Sequence, residues 1–98
     1  MRTSMPANPE RLVTHNRDCT WNGLPELAPR YRVTERLVVR HARRRRIRRT
    51  VSRGKMLADL ALFTSGGVAT VTARGGVIRH RVRVPGIPPV ERVYRPLG

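Results

Sequence analysis

The chain has 98 residues, of which 21 are lysine or arginine and 6 are aspartate or glutamate, so its formal charge is +15. A chain of this length supports one small domain with a modest core. The single cysteine excludes an internal disulfide framework, and no apolar run reaches the roughly 18 residues of a membrane span. Because the N-terminus has no continuous apolar segment, we expect an intracellular protein that is not secreted, whether cytoplasmic, nuclear or organellar.

Residues 1–31 are predicted to form an extended or irregular arm. Four of the eight prolines lie in this segment, and neither a helical nor a strand periodicity is sustained there. Trp21 is the largest apolar side chain of the arm, and we expect it to dock onto the core.

A basic helix is predicted to begin at Thr34. Threonine is a suitable N-cap, Glu35 suits the positive end of the helix dipole, and Val33 and Val38 occupy the positions of a hydrophobic staple. On a helical wheel the apolar stripe ends at Ala42, and arginines occupy the same sector afterwards. A helix that continues past this point would therefore project into solvent or into a ligand.

A second, buried helix is predicted over residues 56–63. Ser52 can cap it, and the segment is apolar on nearly all sides. The run Thr-Ser-Gly-Gly at 64–67 supplies glycine for its C-terminal cap. Gly54 weakens the junction, so two helices and one long bent helix both remain open.

Residues 68–84 predict a β-hairpin. Two alternating runs flank Gly75-Gly76, and a two-residue turn there pairs Arg74 with Val77 and Ala69 with Val82. The apolar face of this hairpin would comprise Ala69, Val71, Ala73, Ile78, His80, Val82 and Val84. The opposite face would comprise Thr70, Thr72, Arg74, Arg79, Arg81 and Arg83. We expect the apolar face to cover the buried helix, because an isolated hairpin is marginally stable.

Residues 85–98 contain the other four prolines and are predicted to be an extended tail. The predicted fold class is therefore α+β: a small domain over residues 32–84, with a basic helix, a buried helix and a hairpin, flanked by two extended arms.

Arginine is concentrated in one segment, since nine of the eighteen residues 36–53 are arginine and none is acidic. Residues 31–55 carry eleven basic side chains and one acid, which places +10 of the total charge in a quarter of the chain. Guanidinium groups this dense repel one another unless solvent or a polyanion surrounds them, and phosphate offers forked acceptor oxygens. The predicted nucleic-acid-binding residues are the basic side chains of this segment and a row on the hairpin: Arg36, Arg40, Arg43, Arg44, Arg45, Arg46, Arg48, Arg49, Arg53, Lys55, Arg79, Arg81 and Arg83.

These features indicate a nucleic-acid-binding protein that binds without sequence specificity, with RNA preferred over DNA as the partner. A structural role in a ribosome-like ribonucleoprotein particle, beside other proteins of that particle, fits basic arms on a minimal core. The same arginines would serve a DNA-binding or viral accessory protein, a nuclear import sequence or an anionic lipid surface. A GC-rich reading frame of no selected function would also encode such a composition.

Neither catalysis nor metal binding is indicated. The six acids are scattered singly, and His15, Cys19, His41 and His80 lack the spacing of a zinc site. We therefore expect no enzymatic activity, no cofactor, no metal and no small-molecule substrate. The four aromatic residues are too few for the base-stacking platform of a typical RNA-binding sheet.

Overall fold

The computed structural model of the protein describes residues 9–37, 46–64 and 66–98. These residues form one antiparallel sheet of seven strands with the order β2-β1-β5-β6-β7-β3-β4. The strands are β1 (Arg11–His15), β2 (Trp21–Asn22), β3 (Arg30–Leu37), β4 (Arg46–Ser52), β5 (Ala69–Arg74), β6 (Val77–Val82) and β7 (Val90–Leu97). One helix, α1 (Arg53–Thr64), connects β4 to β5.

The prediction of a helix that begins at Thr34 is wrong, because the described parts of that segment belong to the strands β3 and β4. Tyr31 and Val33 alternate with exposed Arg30 and Arg32, and both apolar side chains are fully buried. This two-residue period sets the strand, and β3 pairs along its length with both β4 and β7. The capping features at Thr34 are local preferences that these pairings override. Residues 38–45 of the predicted helix lie outside the described residues.

The two predicted extended arms are also corrected, since both contribute strands to the sheet. Residues 1–31 contain β1 and β2, and residues 85–98 contain β7. β7 lies between β6 and β3, near the middle of the sheet. The described residues are therefore mostly antiparallel β-sheet with one short helix, and the predicted α+β class is wrong.

The predicted hairpin is confirmed in its register. β5 and β6 pair Arg74 with Val77 and Ala69 with Val82. Gly75, the first turn residue, has φ of 59°, which is the positive value that a type II′ turn requires at this position. The predicted assignment of side chains to the two faces of the hairpin is also confirmed, since Val71 and Ile78 are fully buried while Arg79 and Arg81 are exposed.

Helix α1 lies across one face of the sheet, where it packs against β1, β3, β4 and β5. Its first turn is capped as predicted, because the Oγ of Ser52 accepts a hydrogen bond from the backbone N–H of Lys55 at 3.2 Å. Met56 and Leu60 are fully buried against the sheet, but Leu62 is 69% exposed. The helix therefore buries one side, not nearly all of its circumference as the sequence predicted.

The core lies between α1 and this face of the sheet. Its buried members are Val13, Tyr31, Val33, Val51, Met56, Leu60, Val71, Ala73, Ile78 and Tyr94. Trp21 packs against this cluster, as predicted for the N-terminal segment. Burial of these side chains fixes which face of every strand points inward, because alternation leaves no freedom once one face is chosen.

Candidate nucleic-acid interface

The sheet has two faces of different chemistry, which we call the covered face, under α1, and the open face. Strand alternation and the pairing register assign each side chain to one of them. The open face carries eight arginines with described side chains: Arg30, Arg32, Arg36, Arg48, Arg74, Arg79, Arg81 and Arg95. Arg46 occupies a ninth open-face position by register, opposite Arg36.

Two pairs of arginines at open-face positions lie directly opposite each other on neighbouring strands. Arg32 of β3 faces Arg95 of β7, and Arg36 faces Arg46 of β4. Like charges opposite each other in an antiparallel pair destabilise the sheet, so this arrangement disfavours folding by itself. A bound polyanion would convert the repulsion into binding energy.

Few of these arginines are neutralised within the chain. Arg81 donates from Nε to Oε2 of Glu91 at 3.1 Å. Among the described residues, no carboxylate forms a salt bridge with the other open-face arginines. The carboxylate of Glu10 also lies at this face, at its β5 side, where it accepts a hydrogen bond from Thr72 at 2.8 Å.

A depression of about 320 Å³ opens on this face. It is lined by Thr34, Arg36, Arg48, Glu91, Val93 and Arg95. The lining combines three guanidinium groups and one carboxylate with a hydroxyl and an isopropyl group. The depression therefore offers hydrogen-bond donors and a net positive charge to a ligand.

Two arginines on the covered face, Arg49 and Arg92, are paired with acids, whereas Arg11 of β1 is exposed and forms no salt bridge with a described carboxylate. Arg92 donates from Nε to Oε2 of Glu35 at 3.0 Å, and Nη2 of Arg49 lies 3.9 Å from the same oxygen. Nη2 of Arg49 also lies 4.0 Å from Oδ2 of Asp59, whose other oxygen is 3.2 Å from Nζ of Lys55. Arg49 and Lys55 are thus engaged in a network beneath and beside α1, away from the open face.

Two titratable side chains lie buried beside this network. Burial lowers the pKa of His80 to about 4, assisted by Arg92 and opposed by Asp59. Burial also raises the pKa of Tyr94 to about 12, with Arg92 and Asp59 acting in opposite directions. Both imidazole nitrogens of His80 and the hydroxyl of Tyr94 lack a hydrogen-bond partner among the described residues. His80 is therefore a neutral core residue, as its place on the apolar hairpin face predicted.

The structure brings only part of the predicted binding set together. Arg36, Arg48, Arg79 and Arg81 share the open face, with Arg46 placed there by register. Arg83 follows β6 and is exposed, whereas Arg53 is exposed at the first residue of α1. The remaining predicted arginines, Arg40, Arg43, Arg44 and Arg45, lie outside the described residues.

Four open-face arginines were not part of the predicted binding set, although Arg74 was assigned to this face of the hairpin: Arg30, Arg32, Arg74 and Arg95. The alternation of arginine with Tyr31 and Val33 at the start of β3 would have placed two of them on one strand face. Arg95 could not be found in this way, because its membership depends on the pairing of β7 with β3, from a distant part of the chain.

Within residues 9–37, 46–64 and 66–98, no helix has the length and apolar content needed to cross a membrane. The same residues hold no group of three or more His, Cys, Asp or Glu side chains that could bind a metal ion. Comparison of the chain with protein-family models, curated proteins and solved structures finds no significant match. The functional argument therefore depends on the geometry and charge of the open face.

Proposed function

We propose that this protein binds nucleic acid through the open face of its sheet, without sequence specificity and with RNA preferred over DNA. The observation that supports the proposal most directly is the set of eight open-face arginines, of which one is paired with a carboxylate among the described residues. Arginine binds phosphate in a forked geometry and retains its charge at any physiological pH. The proposed contact surface is a strand face, which replaces the arginine-rich helix expected from the sequence.

The proposed role is structural rather than catalytic, as in a component of a ribonucleoprotein particle. The described open face consists mainly of arginine, threonine and valine, and its two carboxylates, Glu91 and Glu10, are held by Arg81 at 3.1 Å and by Thr72 at 2.8 Å. Such a surface supplies positive charge and hydrogen-bond donors but no obvious acid–base pair. Contacts of this type position a protein on a phosphate backbone and carry no sequence information.

The salt dependence of binding tests the proposal. If the face neutralises about six phosphates, the logarithm of affinity should fall with the logarithm of salt concentration with a slope of roughly −4 to −5. Fluorescence anisotropy with labelled RNA at several salt concentrations measures this slope. A slope shallower than about −2 would mean that the open-face arginines are not the binding surface.

A pair of double variants locates the contact. Arg32→Gln/Arg95→Gln removes two opposed open-face charges, whereas Arg11→Gln/Arg17→Gln removes two exposed charges outside that face. The first pair should lower RNA affinity about 10- to 30-fold and flatten the salt slope by roughly 1.5. The second pair changes the net charge equally and should have a much smaller effect. Equal losses in the two variants would show that net charge, and not this face, controls binding.

A further inference from the structure

The aromatic side chains are kept off the open face. Tyr31 and Tyr94 point into the core and are fully buried, and Trp21 packs against that core from the paired ends of β1 and β2. Phe63, the remaining aromatic residue, lies on α1. Sheets that bind single-stranded nucleic acid stack unpaired bases on aromatic side chains of the exposed face. The open face of this protein offers no such ring.

In the two rows of the sheet that contain Arg79 and Arg81, positive charge falls into two groups separated on β7 by Val93 and Glu91, whereas Arg95 of β7 lies in the next row opposite Arg32. Arg79 and Arg81 lie on β6, while Arg36 and Arg48 lie on β3 and β4. In one row across the sheet, Arg79 is followed by Val93, Thr34 and then Arg48. With strands about 4.8 Å apart, the backbones at the two ends of this row are separated by about 14 Å.

Two groups of arginine at this separation match two phosphate backbones better than one. A single strand that follows β6 would leave the guanidinium groups of β3 and β4 without phosphate. A double helix presents two backbones on either side of a groove, and both groups can then be occupied together. The strip between them, including Thr34 and Val93, would face the groove.

The width of the face distinguishes between the two kinds of groove. Five strands from β5 to β4 span about 19 Å, which is wider than the roughly 12 Å major groove of B-form DNA. The sheet therefore cannot enter that groove. The minor groove of A-form RNA is wide and shallow and displays 2′-hydroxyl groups, so a broad surface can lie across it.

We propose that the open face binds double-helical RNA across its minor groove, with the arginines of β6 on one phosphate backbone and those of β3 and β4 on the other. The hydroxyl of Thr34, in the depression between the two groups, is placed to contact 2′-hydroxyl groups. This inference rests on the proposed function and specifies the ligand of the same surface.

Competition between matched ligands tests the inference on the full-length protein. The probes are a perfectly paired RNA duplex, the DNA duplex of the same sequence, an unstructured single-stranded RNA of equal length, and inorganic polyphosphate. At physiological salt the RNA duplex should bind roughly tenfold more tightly than single-stranded RNA, and more tightly than the DNA duplex and polyphosphate.

Single-stranded RNA or duplex DNA that binds as well as the RNA duplex would overturn the inference and leave nucleic-acid binding standing. Polyphosphate that binds as well would overturn the inference, because charge alone would account for affinity. Failure to bind any nucleic acid would overturn the proposed function itself.

Single variants test the two-backbone contact. Arg79→Gln and Arg48→Gln remove one charge from each group and leave the core untouched, since both side chains are exposed. Each should lower affinity for the RNA duplex about fivefold, and the double variant should show the product of the two effects. A loss confined to one variant would mean that a single backbone is contacted, which contradicts the inference. Circular dichroism of each variant verifies that the fold is retained.

Discussion

Arginines on the two faces of the sheet have opposite surroundings. On the covered face, Arg49 and Arg92 are held by Glu35 and Asp59 in a half-buried network. On the open face, Arg32 lies opposite Arg95, another arginine. Charges that must be partly buried are neutralised inside the chain, because burial of an unpaired charge is costly. Unpaired charges are tolerated in solvent. The arginines of the covered face that are paired with acids therefore stabilise the fold, whereas the unpaired arginines of the open face are available to a ligand.

The largest expected effect comes from placing a charge on the covered face. Ile78 is fully buried between Ala73 and Tyr94 in the register, whereas its neighbour Arg79 is exposed on the open face. Ile78→Asp should cost about 4 kcal/mol or more, enough to unfold so small a domain. Arg79→Gln should change stability by no more than about 0.5 kcal/mol. Thermal denaturation of both variants decides the assignment, and a reversal of the two effects would refute the register.

Low pH should lower the free energy of unfolding because His80 is buried without a charge on the covered face. Its pKa is about 4 in the folded protein, because of burial first and Arg92 second, against 6.5 in an unfolded chain. Between these values the unfolded chain binds a proton that the folded chain does not. Stability is therefore complete above about pH 6.5 and falls as the pH decreases, by about 3 kcal/mol on reaching pH 4.

Urea denaturation of the wild type and of His80→Gln between pH 7 and pH 5 measures this contribution. The loss of stability should be clearly smaller in the variant, because glutamine at position 80 binds no proton in this pH range. An identical pH dependence in both proteins would show that His80 is not the group responsible.

Removal of one acid from each face should have unequal effects. Glu35→Gln leaves Arg92 and Arg49 without their shared carboxylate, and it should cost about 2 kcal/mol because the side chains of Glu35 and Arg92 are only 16% and 19% exposed. Glu91→Gln removes the partner of Arg81, which is 52% exposed, and should cost about 0.5 kcal/mol. Chemical denaturation at neutral pH compares them, and equal costs would mean that the two faces do not differ in shielding.

The smallest expected effect has the opposite sign. Arg95→Thr relieves the repulsion with Arg32, and threonine suits an exposed strand position, so stability should rise by about 0.5 kcal/mol at low salt. Arg92→Thr, three positions earlier on β7 and on the covered face, should instead lower stability because Glu35 loses its closest cation. A gain for Arg95→Thr that is accompanied by weaker RNA binding would indicate that the open-face charge is retained for a ligand.

The hairpin was predictable because its information is local. A two-residue turn fixes the register of β5 and β6, and alternation then assigns every side chain to a face. The start of α1 was predictable for the same reason, since Ser52 caps a backbone N–H three residues away. The strand β3 was missed because a plausible cap at Thr34 and a plausible alternation at Tyr31 and Val33 compete within one segment.

The charge of this protein, the concentration of arginine, the hairpin register and the cap of its helix can all be read from the amino-acid sequence. Each of these depends on composition or on residues close together in the chain. The position of β7 between β6 and β3, which places Arg95 opposite Arg32 and Arg92 beside Glu35, is instead a result of tertiary packing. Pairing of strands so distant in the chain is selected by the burial of a shared core under α1, and this non-local contribution to the free energy leaves little trace in any one segment.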